Sequence, residues 1–168
     1  MVATTCENAA VAADGSGSAR VWLAGEDELD DVAQLISEFR DHFGKAEPTL
    51  ETLRERVGRI VIDGGEYLLG AAGDTQPAGV AQLRFRPSVW SSGDCWLEDL
   101  FVRESARGAG LGRALVEASF DRARERGCAR IELDTNEENH AAIALYEACG
   151  FSTRPKGPDR SLFLGRKL

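Results

Sequence analysis

The sequence is short of several features that point to particular kinds of protein. Lys and Arg number 20 against 28 Asp and Glu, which leaves a net charge of −8. Phosphate neutralisation needs clustered cations, so this balance argues against a nucleic-acid partner. An acidic surface would draw in cationic small molecules, and equally serves solubility. No apolar run approaches the ~20 residues needed to span a bilayer, so no membrane partner is expected. The N-terminal stretch has no basic segment followed by an apolar one, so no secretory signal is expected and the cytoplasm is the default location. Cysteine is scarce. Cys6, Cys95, Cys128 and Cys149 form no Cys-x-x-Cys pair, and only His42 and His140 could add imidazole. A metal site therefore has poor support. Cys95, Cys128 and Cys149 sit in apolar segments and read as small buried thiols.

What remains is an ordinary globular composition, 43% hydrophobic and 29% charged over 168 residues. That suits one domain with one core. Residues 1–18, rich in Ala, Asp, Gly and Ser, lack periodicity and read as a flexible tail, with a single domain over 19–168. Ala19 to Ala24 reads as a strand. Glu26 to Phe43 carries Leu29, Val32, Ala33, Ile36 and Phe39 at helical spacing. Pro48-Thr49 opens a second helix that Gly64-Gly65 stops. Tyr67–Gly73 and Gly79–Arg86 form an expected hairpin, followed by a strand over Trp96–Val102. Leu111 to Arg126 is helical, Arg130 to Thr135 is a strand, and Asn139 to Cys149 is a short helix closed by Gly150. Phe151–Arg154 and Ser161–Lys167 read as two last strands. This order predicts an α/β (mixed α+β) fold: a mostly antiparallel mixed sheet, helices on both faces, and one parallel βαβ crossover.

The chemistry-bearing signal is the segment Arg107-Gly108-Ala109-Gly110-Leu111-Gly112 at the start of a helix. A phosphate-cradling loop ending in Gly-Lys-Ser/Thr is excluded, because Gly112 is followed by Arg113-Ala114. A dinucleotide fingerprint needs glycine where Arg113 stands, and its first glycine should follow the strand almost at once. Here Arg103 to Arg107 intervene. Glycines permit close backbone approach and positive φ. Successive N–H groups at a helix start make an anion site suited to a pyrophosphate. A glycine-rich turn that merely packs a helix on the sheet is the alternative.

Three motifs in order resemble the GNAT superfamily of N-acetyltransferases: Leu97-Glu98-Asp99-Leu100-Phe101-Val102, then Arg107 to Gly112, then Asn139 through Leu145-Tyr146-Glu147 to Gly150-Phe151. The first is similar to the diamine (spermidine/spermine) acetyltransferase branch. The resemblance implies the GNAT-like acyl-CoA N-acyltransferase fold and acetyl-CoA as cosubstrate. It implies a bulged strand whose Leu100, Phe101 and Val102 backbone pairs with the pantetheine arm. Gly108, Ala109, Gly110, Leu111, Gly112 and Arg113, preceded by Arg107, would hold the pyrophosphate. Asn139 would contact the cofactor arm, and Tyr146 would sit near the sulfur. A small amine is the implied acceptor, and a homodimer the implied assembly.

Asn139, Ile143 and Tyr146 fall at i, i+4 and i+7, which places them on one helix face. Asn139 can equally be an N-cap, and Tyr146 a core tyrosine. Acetyl transfer to a lysine-like amine, whose pKa is ~10.4, needs a base, fixed oxyanion donors and a proton for the thiolate. Glu98 is the expected base, on the ground that a carboxylate in a buried run acquires a raised pKa. Asp99 competes for the role, since alternation sends one of the pair to the opposite face and a bulge would blur which. The Val102 N–H is the expected oxyanion donor, and Tyr146 the expected acid. His140 reads as a surface or capping residue, and Asp30, Asp31 and Glu47 as solvated or acceptor-lining. A non-catalytic acyl-CoA sensor of the same fold is the rival reading, as is an acetyltransferase for an antibiotic or protein amine.

Overall fold

A computed structural model describes residues 19–73 and 75–153. The chain divides into two compact units with the boundary after Asp134. The first unit holds five strands: β1 (Ala19–Leu23), β2 (Glu66–Ala72), β3 (Gly79–Arg86), β4 (Asp94–Val102) and β5 (Arg130–Glu132). It also holds α1 (Leu29–His42), α2 (Leu50–Ile62) and α3 (Leu111–Glu125). The second holds α4 (His140–Ala148). The strands lie in the order β1-β2-β3-β4-β5, antiparallel until the last pair. β4 and β5 run parallel across the α3 crossover.

The two sheet faces are read directly from side-chain alternation. Tyr67, Leu69, Val80 and Phe101 share one face and pack with Val32, Ala33 and Leu35 of α1 and Val57 of α2. Gly70 and Gly79, partners across β2 and β3, lie on the other. A Cβ on Gly70 would stand 2.8 Å from Leu111 Cδ1, and one on Gly79 would stand 2.9 Å from Leu115 Cδ1. The absent side chains therefore let the first turns of α3 sit close on the sheet, which fixes where that helix begins.

Local chemistry explains most element ends. Thr49 caps α2 by accepting the Thr52 N–H at 3.3 Å. The first helix starts three residues later than its periodicity suggests, after a 3-10 turn over Glu26–Glu28. The Glu28 carboxylate holds that turn, accepting from the Gly25 N–H at 2.9 Å and from Trp22 Nε1 at 2.8 Å. β5 stops at Glu132, short of the expected Thr135, because its pairing with β4 ends there. Residues 151–153 carry no strand. Arg154, the expected last strand over Ser161–Lys167 and the expected tail over 1–18 lie outside the described residues. Cys95 is fully buried, and burial pushes its thiol up to about 12. Cys128 and Cys149 are only partly buried, contrary to the apolar character of their surroundings in sequence.

Candidate active site

The pairing of β3 with β4 contains an irregularity that decides where two carboxylates go. Gly79 to Gln82 face Val102 to Asp99 in strict register, and then Leu83 faces Leu97. Glu98 is left as the extra residue of a bulge. In such a bulge two neighbouring residues oppose one on the partner strand, and the usual alternation is broken. Arg84 lies two residues from Gln82 and so shares its face. Its Nε donates to the Glu98 carboxylate at 2.6 Å. Glu98 thus reaches the same α1–α2 face on which Asp99 sits opposite Gln82.

The environments of the two acids differ. Glu98 is committed to the Arg84 ion pair, with its side chain 26% exposed. Asp99 is held above the usual carboxylate range, first by burial and then by the negative charges of Glu98 and Asp134. The desolvation that the sequence assigns to Glu98 therefore falls on Asp99. The same row contains Tyr67 and Gln82, which sequence reasoning passed over. Tyr67 Oη donates to Gln82 Oε1 at 3.2 Å. Their signal was a tyrosine and a glutamine on the face that also carries the apolar Leu69 and Val80.

The bulge lies where the sheet forks. β4 and β5 pair only over Asp94–Trp96 and Arg130–Glu132, and β4 then continues to Val102. Ion pairs close the base of the fork, Arg86 to Glu132 at 2.7 Å and Arg130 to Asp94 at 3.1 Å. Among the described residues no strand covers the β5 side of β4 from Leu97 to Val102. An uncovered edge offers backbone N–H and C=O groups to an extended ligand. Phe101 turns its side chain into the core, with its ring 5.4 Å from that of Phe39. Leu100 and Val102 are partly buried on the α3 face.

The chain leaves β4 through Arg103, which grips Glu38 of α1 at 2.7 and 2.8 Å and donates to the Pro77 carbonyl at 2.8 Å. Arg103 in turn holds the Glu38 carboxyl below its ordinary range. After the turn at Glu104–Ala106, Arg107 folds back and donates from Nε to the Val102 carbonyl at 3.1 Å. Gly108 and Gly110 follow with φ of +79° and +81°. A Cβ on either would meet nothing within 4 Å, so backbone conformation, not crowding within the protein, calls for glycine there. Arg107, Gly108, Ala109 and Gly110 are exposed, whereas Leu111 is buried over Gly70. Gly112 and Arg113 complete the first turn, and Arg113 pairs with Glu117 at 3.4 Å.

That turn differs from the other helix starts. Side chains cap α2 and α4, and α1 is uncapped but carries Asp30 and Asp31 in its first turn, whereas α3 has neither a side-chain cap nor an acidic first-turn residue. A helix start with unsatisfied N–H groups beneath an open glycine loop suits an anion. The loop therefore fits a pyrophosphate, and the β4 edge fits an extended amide-bearing arm. No cluster of His, Cys, Asp and Glu among the described residues could hold a metal ion.

In the second unit, Asn139 Oδ1 accepts the Ala142 N–H at 3.3 Å and so caps α4. Tyr146 packs edge-on against Phe151 with ring centroids 5.8 Å apart. His140 is exposed at the first position of α4. Asp31 and Glu47 are likewise exposed, and Asp30 pairs with Arg54 of α2 at 2.9 Å.

Residues 29–151 match the model of the Acetyltransferase (GNAT) family. The chain belongs to that family. It is 34% identical over 149 residues to a mycothiol acetyltransferase of Beutenbergia cavernae, covering 87% of this chain and 49% of the relative. The chain thus spans about half the length of that curated relative. A thialysine N-epsilon-acetyltransferase of Caenorhabditis elegans is 27% identical over 125 residues, 74% of this chain and 76% of the relative. The fold matches that of an Arthrobacter sp. FB24 protein assigned to the acetyltransferases, with a TM-score of 0.77 and 32% identity over 96% of this chain and 99% of that one. The forked sheet and the loop before α3 are thus features of a GNAT domain. No helix among the described residues is long and apolar enough to cross a membrane.

Proposed function

We propose that this GNAT domain is an acetyl-CoA-dependent N-acetyltransferase that acylates a primary amine of a small cationic acceptor by direct attack in a ternary complex. The observation that carries the reading is the fork, with its uncovered β4 edge leading into an uncapped, glycine-flanked helix start. Acetyl-CoA supplies an activated thioester acyl group. The loop from Arg107 to Arg113 binds its pyrophosphate through backbone N–H groups. The backbone of Leu100, Phe101 and Val102 orients the pantetheine arm, and the Val102 N–H donates to the acyl oxygen. Asn139 is assigned to the cofactor by family resemblance alone.

Asp99 takes the proton from the attacking amine, directly or through water. Its burial and raised proton affinity support this role. Glu98, held by Arg84, adds negative charge beside it. Tyr146 returns a proton to the leaving sulfur. A cationic acceptor is supported by the net charge of −8 and by the two carboxylates on one sheet face. The resemblance of the Leu97–Val102 segment to the diamine acetyltransferase branch supports it further. The name of the thialysine relative specifies transfer to an amine nitrogen. A homodimer rests on family resemblance alone.

The test is release of CoA thiol from acetyl-CoA against spermidine, small diamines, thialysine, aminoglycosides and a peptide N-terminus. Amine-dependent release that falls sharply in Asp99→Asn supports the proposal. CoA binding without release for any amine favours an acyl-CoA sensor instead.

A further inference from the structure

Two buried polar side chains beside the bulge are unused by the chemistry above. Tyr67, Gln82 and Asp99 are successive cross-strand partners on β2, β3 and β4. All three lie on the α1–α2 face, one step from the wholly apolar row of Leu69, Val80 and Phe101. Tyr67 is 2% exposed and Gln82 is 8% exposed. Leucine and phenylalanine would fill those places without the cost of burying an amide and a hydroxyl.

The one hydrogen bond within the row has a direction. The Tyr67 hydroxyl donates to Gln82 Oε1, so the carbonyl end of the amide is turned toward β2. A carboxamide fixed at its oxygen has its NH2 donors turned the other way. On that side the direct cross-strand neighbour of Gln82 is Asp99. Cross-strand neighbours on one face have Cβ atoms about 4.5–5.5 Å apart, within reach of such a pair.

We propose that Gln82, oriented by Tyr67, is a positioning residue for Asp99: the Tyr67 hydroxyl locks the amide so that its donor end, and not its oxygen, faces the carboxylate. This rests on Asp99 being the base. The charged form of Asp99 is opposed by Glu98 on its own strand, itself paired with Arg84, and by Asp134 beyond β5. From β2 the facing titratable group is the Tyr67 phenol, whose own proton is held more tightly by burial and by the Asp99 charge. On α1, Glu38 is neutralised by Arg103 and Asp31 acts on the same guanidinium, and neither is among the charges that raise Asp99. Gln82 is thus the neutral side chain that can offer Asp99 a donor without cancelling its charge. An Arg or Lys in that place would suppress its basicity.

The experiment compares wild type with Gln82→Met, which keeps the volume, and Tyr67→Phe, which keeps the ring. The readouts are the pH profile of kcat/KM and the 13C-detected titration of the Asp99 carboxyl in the free protein. Loss of a donor to a charged group should move both the acidic limb and the carboxyl midpoint upward by ~1 pH unit in Gln82→Met. A smaller shift in the same direction is expected for Tyr67→Phe, and acetyl-CoA affinity should not change. If Gln82→Met does not fold, Tyr67→Phe carries the test, because it releases the amide oxygen while keeping Gln82 in place. An unshifted carboxyl midpoint in the folded variants overturns the proposal, whatever Asp99→Asn does to turnover. A shifted midpoint together with full turnover in Asp99→Asn upholds the positioning and refutes only the assignment of the base.

Discussion

Replacing Glu66 by Gln should cost this protein a large part of its stability, and the loss should depend on pH in a defined way. Glu66 begins β2, is 7% exposed, and accepts from Arg122 at 2.6 and 2.8 Å and from Arg126 at 2.8 Å. Burial by itself would raise its pKa, but the two guanidiniums outweigh burial and hold it below the ordinary glutamate value. Removing one partner of a buried ion pair costs about 3–5 kcal/mol, because the other charge is stranded. Here Arg122 and Arg126 keep 25% and 45% of their side-chain surface in water. The lower end, about 3 kcal/mol, therefore applies. For a chain of this size that corresponds to a fall in Tm of roughly 6–12 °C.

The sign with pH follows from the lowered folded-state pKa. The contribution of Glu66 is fully present above the unfolded value of 4.5 and is lost as pH falls through the folded value. Urea titrations of wild type and Glu66→Gln at pH 7, 5 and 3.5 should therefore show a constant gap that narrows only at the lowest pH. A gap below about 1 kcal/mol at pH 7, the size of an exposed pair, would show that burial adds nothing to these ion pairs. A gap that stays the same at pH 3.5 would refute the linkage to Glu66.

Asp99→Asn should behave in the opposite sense for stability, because it removes a charge that the fold disfavours. A higher Tm at neutral pH is expected, and the gain should shrink as pH falls through the raised folded-state pKa and vanish below the ordinary aspartate range. Turnover should fall about 10²-fold or more while acetyl-CoA still binds. Gly79→Ala places a methyl 2.9 Å from Leu115 Cδ1 and 3.2 Å from the Phe101 carbonyl. It should cost about 1–3 kcal/mol by overpacking, read by thermal denaturation. Tyr146→Phe should reduce turnover more than acetyl-CoA affinity, and unchanged turnover would dismiss this residue as the acid.

Much of the fold was legible because its signals are local. Alternation marks β2 and β3, helical spacing marks α1 and α2, and Thr49 and Gly110 mark helix starts. The glycine loop was legible for the same reason, since positive φ at Gly108 and Gly110 leaves a direct imprint on residue type. What sequence could not supply was pairing. The bulge that brings Glu98 onto the face of Asp99 exists only in the register of β4 against β3. Which of the two acids is desolvated depends on Arg84, which sits fourteen positions from Glu98. The early end of β5 likewise reflects where two strands part and not any residue in the Arg130–Thr135 run. Tyr67 and Gln82 were individually visible, but their alignment with Asp99 needed two registers at once.

The loop before α3 is proposed to bind the pyrophosphate of acetyl-CoA, which calorimetric titration of acetyl-CoA into wild type and Gly110→Ala can decide. Gly110 has φ of +81° with open space around its α-carbon. The methyl should thus cost the free protein only about 1–2 kcal/mol of backbone strain. It should at the same time stand where the backbone must approach the ligand. Saturable binding to wild type is expected, with at least a tenfold weaker Kd in the folded variant, about 1.4 kcal/mol or more. Equal affinity in the two proteins, or no binding to wild type, would rule out this role for the loop.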